Sequence, residues 1–114
     1  MFDFEKLVVY TKAKLYNKEI SKLLRETLTD TATKNQLKRS SLSIVLNIAE
    51  GTGRNTNADK RNFYIVSRGS VFECVAILDL MKDEDLLSEK LFQEFYAKSD
   101  ELSRMLYAMI QKLQ

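Results

Sequence analysis

The sequence predicts an all-α fold, an antiparallel up-down-up-down four-helix bundle, on three observations. With no proline and only three glycines in 114 residues, almost nothing interrupts a helix. Apolar residues recur at three- and four-residue steps in four separate blocks. The segments between those blocks are short and rich in Ser, Thr, Asp and Asn, which cap helices and favour turns. One domain spanning residues 1–114 is expected, because domains usually run to about 100–200 residues.

The first helix is expected to begin at Asp3 as N-cap, with Phe2 stapled onto Leu7. Its inward stripe is Val9, Ala13, Tyr16, Ile20, Leu23 and Leu24, ending near Thr27. Thr33 with Gln36 three residues on reads as a capping box opening the second helix. That helix turns Leu37, Ser41, Ile44, Val45 and Ile48 inward, with Leu42, Leu46 and Ala49 on a neighbouring face, and Gly51 is expected to stop it. Thr56 or Asn57 caps the third, whose main stripe is Phe63, Val66, Ser70, Cys74, Ile77 and Met81, with Tyr64, Val71 and Leu78 alongside. The charged run Lys82-Asp83-Glu84-Asp85 ends it. Ser88 caps the fourth helix, where Phe92, Phe95, Ser99, Leu102, Leu106, Met109 and Leu113 form a heptad seam.

Helices two and three are apolar over more than the roughly three positions per heptad that a bundle core takes. Leu42, Leu46, Tyr64 and Val71 are therefore expected to be covered by further copies of the chain, as a homo-oligomer.

Composition removes most familiar chemistry. Zero histidines and one cysteine exclude the usual zinc sites, Cys–His pairs, Ser–His–acid triads and an intrachain disulfide. No catalytic residue, metal site or cofactor is expected. Gly51-Thr52-Gly53 lacks the third glycine and preceding strand of a dinucleotide fingerprint, and Asp83-Glu84-Asp85 lacks the spacing of a calcium loop. Cys74 lies on the core stripe and reads as a small apolar filler. No apolar run approaches the roughly 18 residues of a membrane span, and the acidic start Asp3–Glu5 does not read as a secretion signal, so a cytoplasmic protein is expected.

The net charge of +2 hides a gradient. Residues 1–33 carry six Lys/Arg against five Asp/Glu, residues 34–68 seven against two, and residues 69–114 five against nine. Phosphate-binding candidates therefore fall in the middle segment: Lys38, Arg39, Arg54, Lys60, Arg61 and Arg68. Glu50 is placed to pair with Arg54 or Arg68; as an acid/base it would need Asp59 as its second group. Gly69 inside a helix costs about 1 kcal/mol relative to alanine, which implies close approach of a neighbouring helix or of a nucleic-acid backbone. Ser40, Ser41, Ser43, Ser67 and Ser70 keep helices two and three thin. Tyr10 and Tyr64 stack on bases if exposed and otherwise belong to the core.

Two stretches carry a resemblance: Gln36-Leu37-Lys38-Arg39-Ser40-Ser41 through Asn47-Ile48-Ala49-Glu50-Gly51-Thr52-Gly53-Arg54, and Phe63 through Ser67-Arg68-Gly69-Ser70 to Glu73. Together with the opening Phe4-Glu5-Lys6-Leu7-Val8-Val9-Tyr10-Thr11-Lys12-Ala13, they resemble the family encoded in intervening sequences of bacterial 23S ribosomal RNA genes, known as S23 ribosomal protein. Its motif residues fall on Asn47, Glu50, Gly51, Gly69 and Ser70. Lys38, Ser67 and Cys74 stand where arginine, alanine and leucine are usual.

The resemblance implies a left-handed bundle assembling as a homopentamer. It also implies kinship with the accessory variability determinant protein of diversity-generating retroelements, which binds nucleic acid and a reverse transcriptase. The expected function is that of a non-enzymatic oligomer that binds RNA or other nucleic acid through its basic surface. The alternative is a protein-interaction scaffold, for example one docking a reverse transcriptase.

Overall fold

Four helices, α1 (Val8–Glu26), α2 (Thr31–Thr52), α3 (Asn57–Asp83) and α4 (Glu89–Lys112), make up nearly the whole computed structural model, which describes residues 1–114 and contains no strand. Each packs against the next in sequence, and α1 also meets α4, enclosing one core in a bundle of 44 × 23 × 21 Å.

The amino terminus departs from expectation. Asp3–Lys6 form a 3-10 turn, the chain extends at Leu7, and α1 begins at Val8, neither element having a side-chain cap. Aromatic packing accounts for the break: Phe2 stacks on Phe4 at 5.7 Å and Phe4 meets the edge of Tyr10 at 4.8 Å, contacts that a continuous helix from Asp3 would pull apart. The cap of α2 is Asp30 rather than Thr33. Its carboxylate accepts the Thr33 backbone N–H at 3.0 Å and the Thr33 hydroxyl at 2.7 Å, and these bonds hold it below the usual carboxylate range. Gln36, freed from a capping box, reaches Glu73 on α3 at 2.7 Å.

Gly51 does not stop α2. The helix runs through Thr52 to a C-cap at Gly53, and no glycine has positive φ. Gly51 is needed for close approach instead: a Cβ there would lie 2.7 Å from the Phe63 Cβ and 3.0 Å from Tyr64 Cε1. Thr56 and Ser88 cap α3 and α4 as expected, accepting from the backbone N–H groups of Asp59 and Leu91.

The inward stripes of α1 and α2 are as expected, with Ser40 and Gly51 also buried on α2. On α3 the two stripes trade places. Tyr64, Ser67, Val71, Cys74, Leu78 and Met81 face the core, while Phe63, Ser70 and Ile77 are half-buried and Val66 is exposed. Tyr64 and Val71 therefore need no second copy to cover them, whereas Leu42 and Leu46 remain 44% and 54% exposed. The α4 seam holds through Leu106 and then shifts from Met109 to Ile110.

Near the centre of the core the Tyr16 hydroxyl meets Ser99 Oγ at 2.9 Å, with Cys74 as neighbour. Burial pushes the Tyr16 phenol up, and pushes the Cys74 thiol from 9.0 to about 12, which makes it an inert filler. In both groups the core accepts the neutral form. Above the unfolded pKa values the unfolded chain sheds protons that the folded chain keeps, so stability is complete below about pH 9 and falls as pH rises toward 12. Each group contributes a slope of about 1.4 kcal/mol per pH unit. Thermal melts in a rising pH series are expected to show Tm dropping from about pH 9 upward, with Cys74→Ala flattening the first part of the fall.

Candidate nucleic-acid interface

The motif residues of α2 and α3 form a polar seam between the two helices. Asn47 Nδ2 donates to the Ser43 carbonyl at 2.8 Å and to Ser43 Oγ at 3.0 Å, and Ser43 Oγ meets Ser70 Oγ at 2.8 Å. Ser67 donates across the buried gap to the Ile44 carbonyl at 2.9 Å. At the far end Thr52 Oγ1 meets the Tyr64 hydroxyl at 2.8 Å. The small side chains at these positions let the backbones approach, and their hydroxyls satisfy one another. Asn47, Ser70 and Gly51 thus serve helix packing, and Tyr64 is unavailable for stacking on a base.

Glu50 pairs with Arg54 at 2.9 Å, and the Arg54 guanidinium also lies 4.5 Å over the Phe63 ring. Arg68 takes a different partner. Its Nε donates to the Ser103 carbonyl of α4 at 3.2 Å, and its guanidinium sits between Phe72 at 4.9 Å and Tyr107 at 5.2 Å. Gly69, next to it, is exposed, and a Cβ there would meet nothing within 4 Å. The close helix approach expected at Gly69 is absent within the chain.

The six candidate cations do not form one patch. Lys38 and Arg39 are exposed on the first half of α2, whereas Arg54 lies just past its end, about 15 residues or roughly 23 Å further along. Lys60, half-buried, belongs to the Arg54 end, since its carbonyl sits 3.3 Å from where a Gly51 Cβ would be. Arg61 and Arg68, seven residues apart, share the line of α3 that faces α4. The Arg61 Nε is buried without a hydrogen-bond partner. Of the six, only Arg54 is in an ion pair.

Glu50 and Asp59, the acid/base alternative, line none of the five main surface clefts. One of two clefts between α3 and α4 is bounded by Ile65, Arg68, Gly69, Phe72, Tyr107 and Ile110. No helix is long and apolar enough to cross a membrane.

The sequence model of the 23S rRNA-intervening sequence protein family matches residues 5–108. A crystal structure of a protein of unknown function from the S23 ribosomal protein family of Bacteroides thetaiotaomicron is similar in fold, with a TM-score of 0.85 at 23% identity. That match covers 90% of this chain and 98% of the other. No curated protein matches. With its model spanning all four helices, the chain belongs to the 23S rRNA-intervening sequence protein family.

Proposed function

We propose that the protein is a non-enzymatic, cytoplasmic homo-oligomer, a homopentamer of left-handed up-down-up-down bundles, that binds RNA or related nucleic acid without a cofactor. The observation that carries the reading is that Lys38, Arg39, Lys60 and Arg61 have no acidic partner within ion-pair distance, although the chain holds 16 acids. Unpaired cations are available to phosphates where they reach solvent, as Lys38 and Arg39 do fully and the half-buried Lys60 and Arg61 do in part, and binding of that kind is salt-dependent and weakly sequence-specific. The exposed Leu42 and Leu46 support self-association.

The test is fluorescence anisotropy with a structured RNA, alongside sedimentation of the same samples. Replacing Lys38, Arg39, Lys60 and Arg61 with alanine is expected to leave the oligomer folded, lower the affinity at least about tenfold and flatten the salt slope. Unchanged affinity would overturn nucleic-acid binding through these residues, and a 13.2 kDa particle in sedimentation would overturn the oligomer.

A second reading, a scaffold that docks a protein such as a reverse transcriptase, is favoured by the apolar cleft around Arg68 and Gly69. Phe72→Glu would abolish that docking while sparing RNA affinity.

A further inference from the structure

Once the helix boundaries are known, charge can be counted by element, and the gradient takes a different form. Helices α3 and α4 each carry four Lys/Arg and four Asp/Glu. Helices α1 and α2 together carry eight Lys/Arg against Glu19, Glu26 and Glu50. Two of those three acids are already engaged, Glu19 by Lys98 of α4 and Glu50 by Arg54. The whole positive excess of the helical body thus belongs to the α1–α2 pair.

Six of these eight cations group together, whereas Lys12 pairs with Glu101 of α4 at 3.1 Å and Arg39 stands one residue off the α2 stripe. On α1, Lys14, Lys18, Lys22 and Arg25 follow at steps of four, four and three, and all are exposed on the side away from Ala13, Tyr16 and Ile20. On α2, Lys34 and Lys38 lie four apart, on the same stripe as Ser41 three residues further on. Ser41 donates to Asn17 Oδ1 at 2.8 Å, which brings that stripe against α1 at the level of Asn17. The connection from Thr27 to Asp30 is short, so the contacting helices run antiparallel. Moving from Asn17 toward Arg25 on α1 is therefore moving from Ser41 toward Lys34 on α2. Arg25 and Lys34 end at one level, with Lys22 and Lys38 just below them. None of the six is in an ion pair.

This arrangement costs the isolated chain. Like charges four apart on a helix repel by about 0.2–0.5 kcal/mol per pair, and Lys14, Lys18 and Lys22 make two such pairs. Elsewhere the chain uses the opposite device at the same spacing, as in Asp100–Arg104 and Glu50–Arg54. A ligand that neutralises the row turns the repulsion into affinity. From Lys14 to Arg25 the row extends roughly 16 Å, the length of about five successive phosphates on one strand of a duplex.

We infer that the α1–α2 face, built on Lys14, Lys18, Lys22, Arg25, Lys34 and Lys38, is the surface that grips the phosphate backbone of a nucleic acid. The inference rests on the nucleic-acid reading above and moves its centre off α3, because Lys60 and Arg61 lie at the opposite end of the bundle. The contacts go to phosphates, so RNA and DNA duplexes bind through the same residues.

The test compares variants of equal charge on the full chain, with a labelled 20-base-pair RNA duplex and a DNA duplex of the same sequence as probes. Lys18→Ala/Lys22→Ala removes two cations from the row, Lys90→Ala/Lys112→Ala removes two exposed cations from α4, and Lys60→Ala/Arg61→Ala removes two from α3. Thermal melts establish that each variant folds. The α1 pair is expected to weaken both probes at least about fivefold and to make the log K against log salt slope shallower by about 2, while the α4 pair stays within about twofold of wild type. Equal losses from the α1 and α4 pairs would reduce the effect to net charge and overturn the assignment. A loss confined to the α3 pair would overturn it and leave nucleic-acid binding standing. Salt-independent or absent binding by the wild type would overturn both.

Discussion

Replacing Tyr16 with alanine is expected to cost the bundle about 3–5 kcal/mol, the range for deleting a large aromatic from a closed core. Tyr16 is 1% exposed, meets the Phe95 ring edge-on at 6.1 Å, and belongs to the row Val9, Ala13, Tyr16 and Ile20 that fills the centre of α1. At roughly 4 °C per kcal/mol for a chain of this size, Tm should drop by roughly 12–20 °C. Tyr16→Phe should behave differently. It removes only the hydroxyl, and Ser99 Oγ keeps an acceptor in the Phe95 carbonyl at 2.7 Å, so no donor is orphaned and the cost is about 1 kcal/mol. Calorimetry on the two variants separates ring packing from hydrogen bonding. Equal losses would mean that the Tyr16–Ser99 bond, and not the ring, holds the centre together.

Alanine at the two helix-interior glycines is expected to act with opposite signs. At Gly51 the new methyl would fall 2.7 Å from the Phe63 Cβ and 3.3 Å from the Lys60 carbonyl, atoms fixed by the α3 backbone, so α2 and α3 must separate. Overpacking of that kind costs about 1–3 kcal/mol, of which the better helix propensity of alanine returns up to about 1. At Gly69 the methyl meets nothing, so the propensity gain stands alone and Gly69→Ala should stabilise by up to about 1 kcal/mol. Urea midpoints on both variants check this. Destabilisation at Gly69 would mean that another copy of the chain packs against it.

Four helices, four of their caps or ends and most of the core were legible from residue types and spacing. The caps at Thr56 and Ser88 declare themselves chemically, and the α1 and α2 stripes admit one good three-four register. On α3 two registers compete, Phe63-Val66-Ser70 and Tyr64-Ser67-Val71, and both run on through Cys74 and Met81. Periodicity alone cannot choose between them. The choice is made by the narrow gap to α2, which admits Ser67 and its bond to the Ile44 carbonyl and would not admit Val66. The break at Leu7 has no local signal either, because it follows from aromatic contacts with Tyr10.

The candidate cations were legible in the sequence, whereas their scatter over both ends of the bundle was not. Counting charge by thirds of the chain let Asp3, Glu5 and Asp30, which lie outside the helices, cancel the exposed cations of α1. The spacing of Lys14, Lys18, Lys22 and Arg25 was present in the sequence. What it lacked was the Asn17–Ser41 contact, which brings that row beside Lys34 and Lys38.

The Asn47–Ser43–Ser70 relay and the Ser67–Ile44 bond also govern how the chain finds its final arrangement. A greasy seam between two long helices tolerates sliding by a turn, since one leucine replaces another at little expense. Sliding α3 along α2 here would break the Ser43–Ser70 contact and leave the buried Ser67 hydroxyl without the Ile44 carbonyl, an unmet demand of about 1–3 kcal/mol. The paired helices therefore have one axial stop, and any surface spread across both of them is delivered in a single alignment.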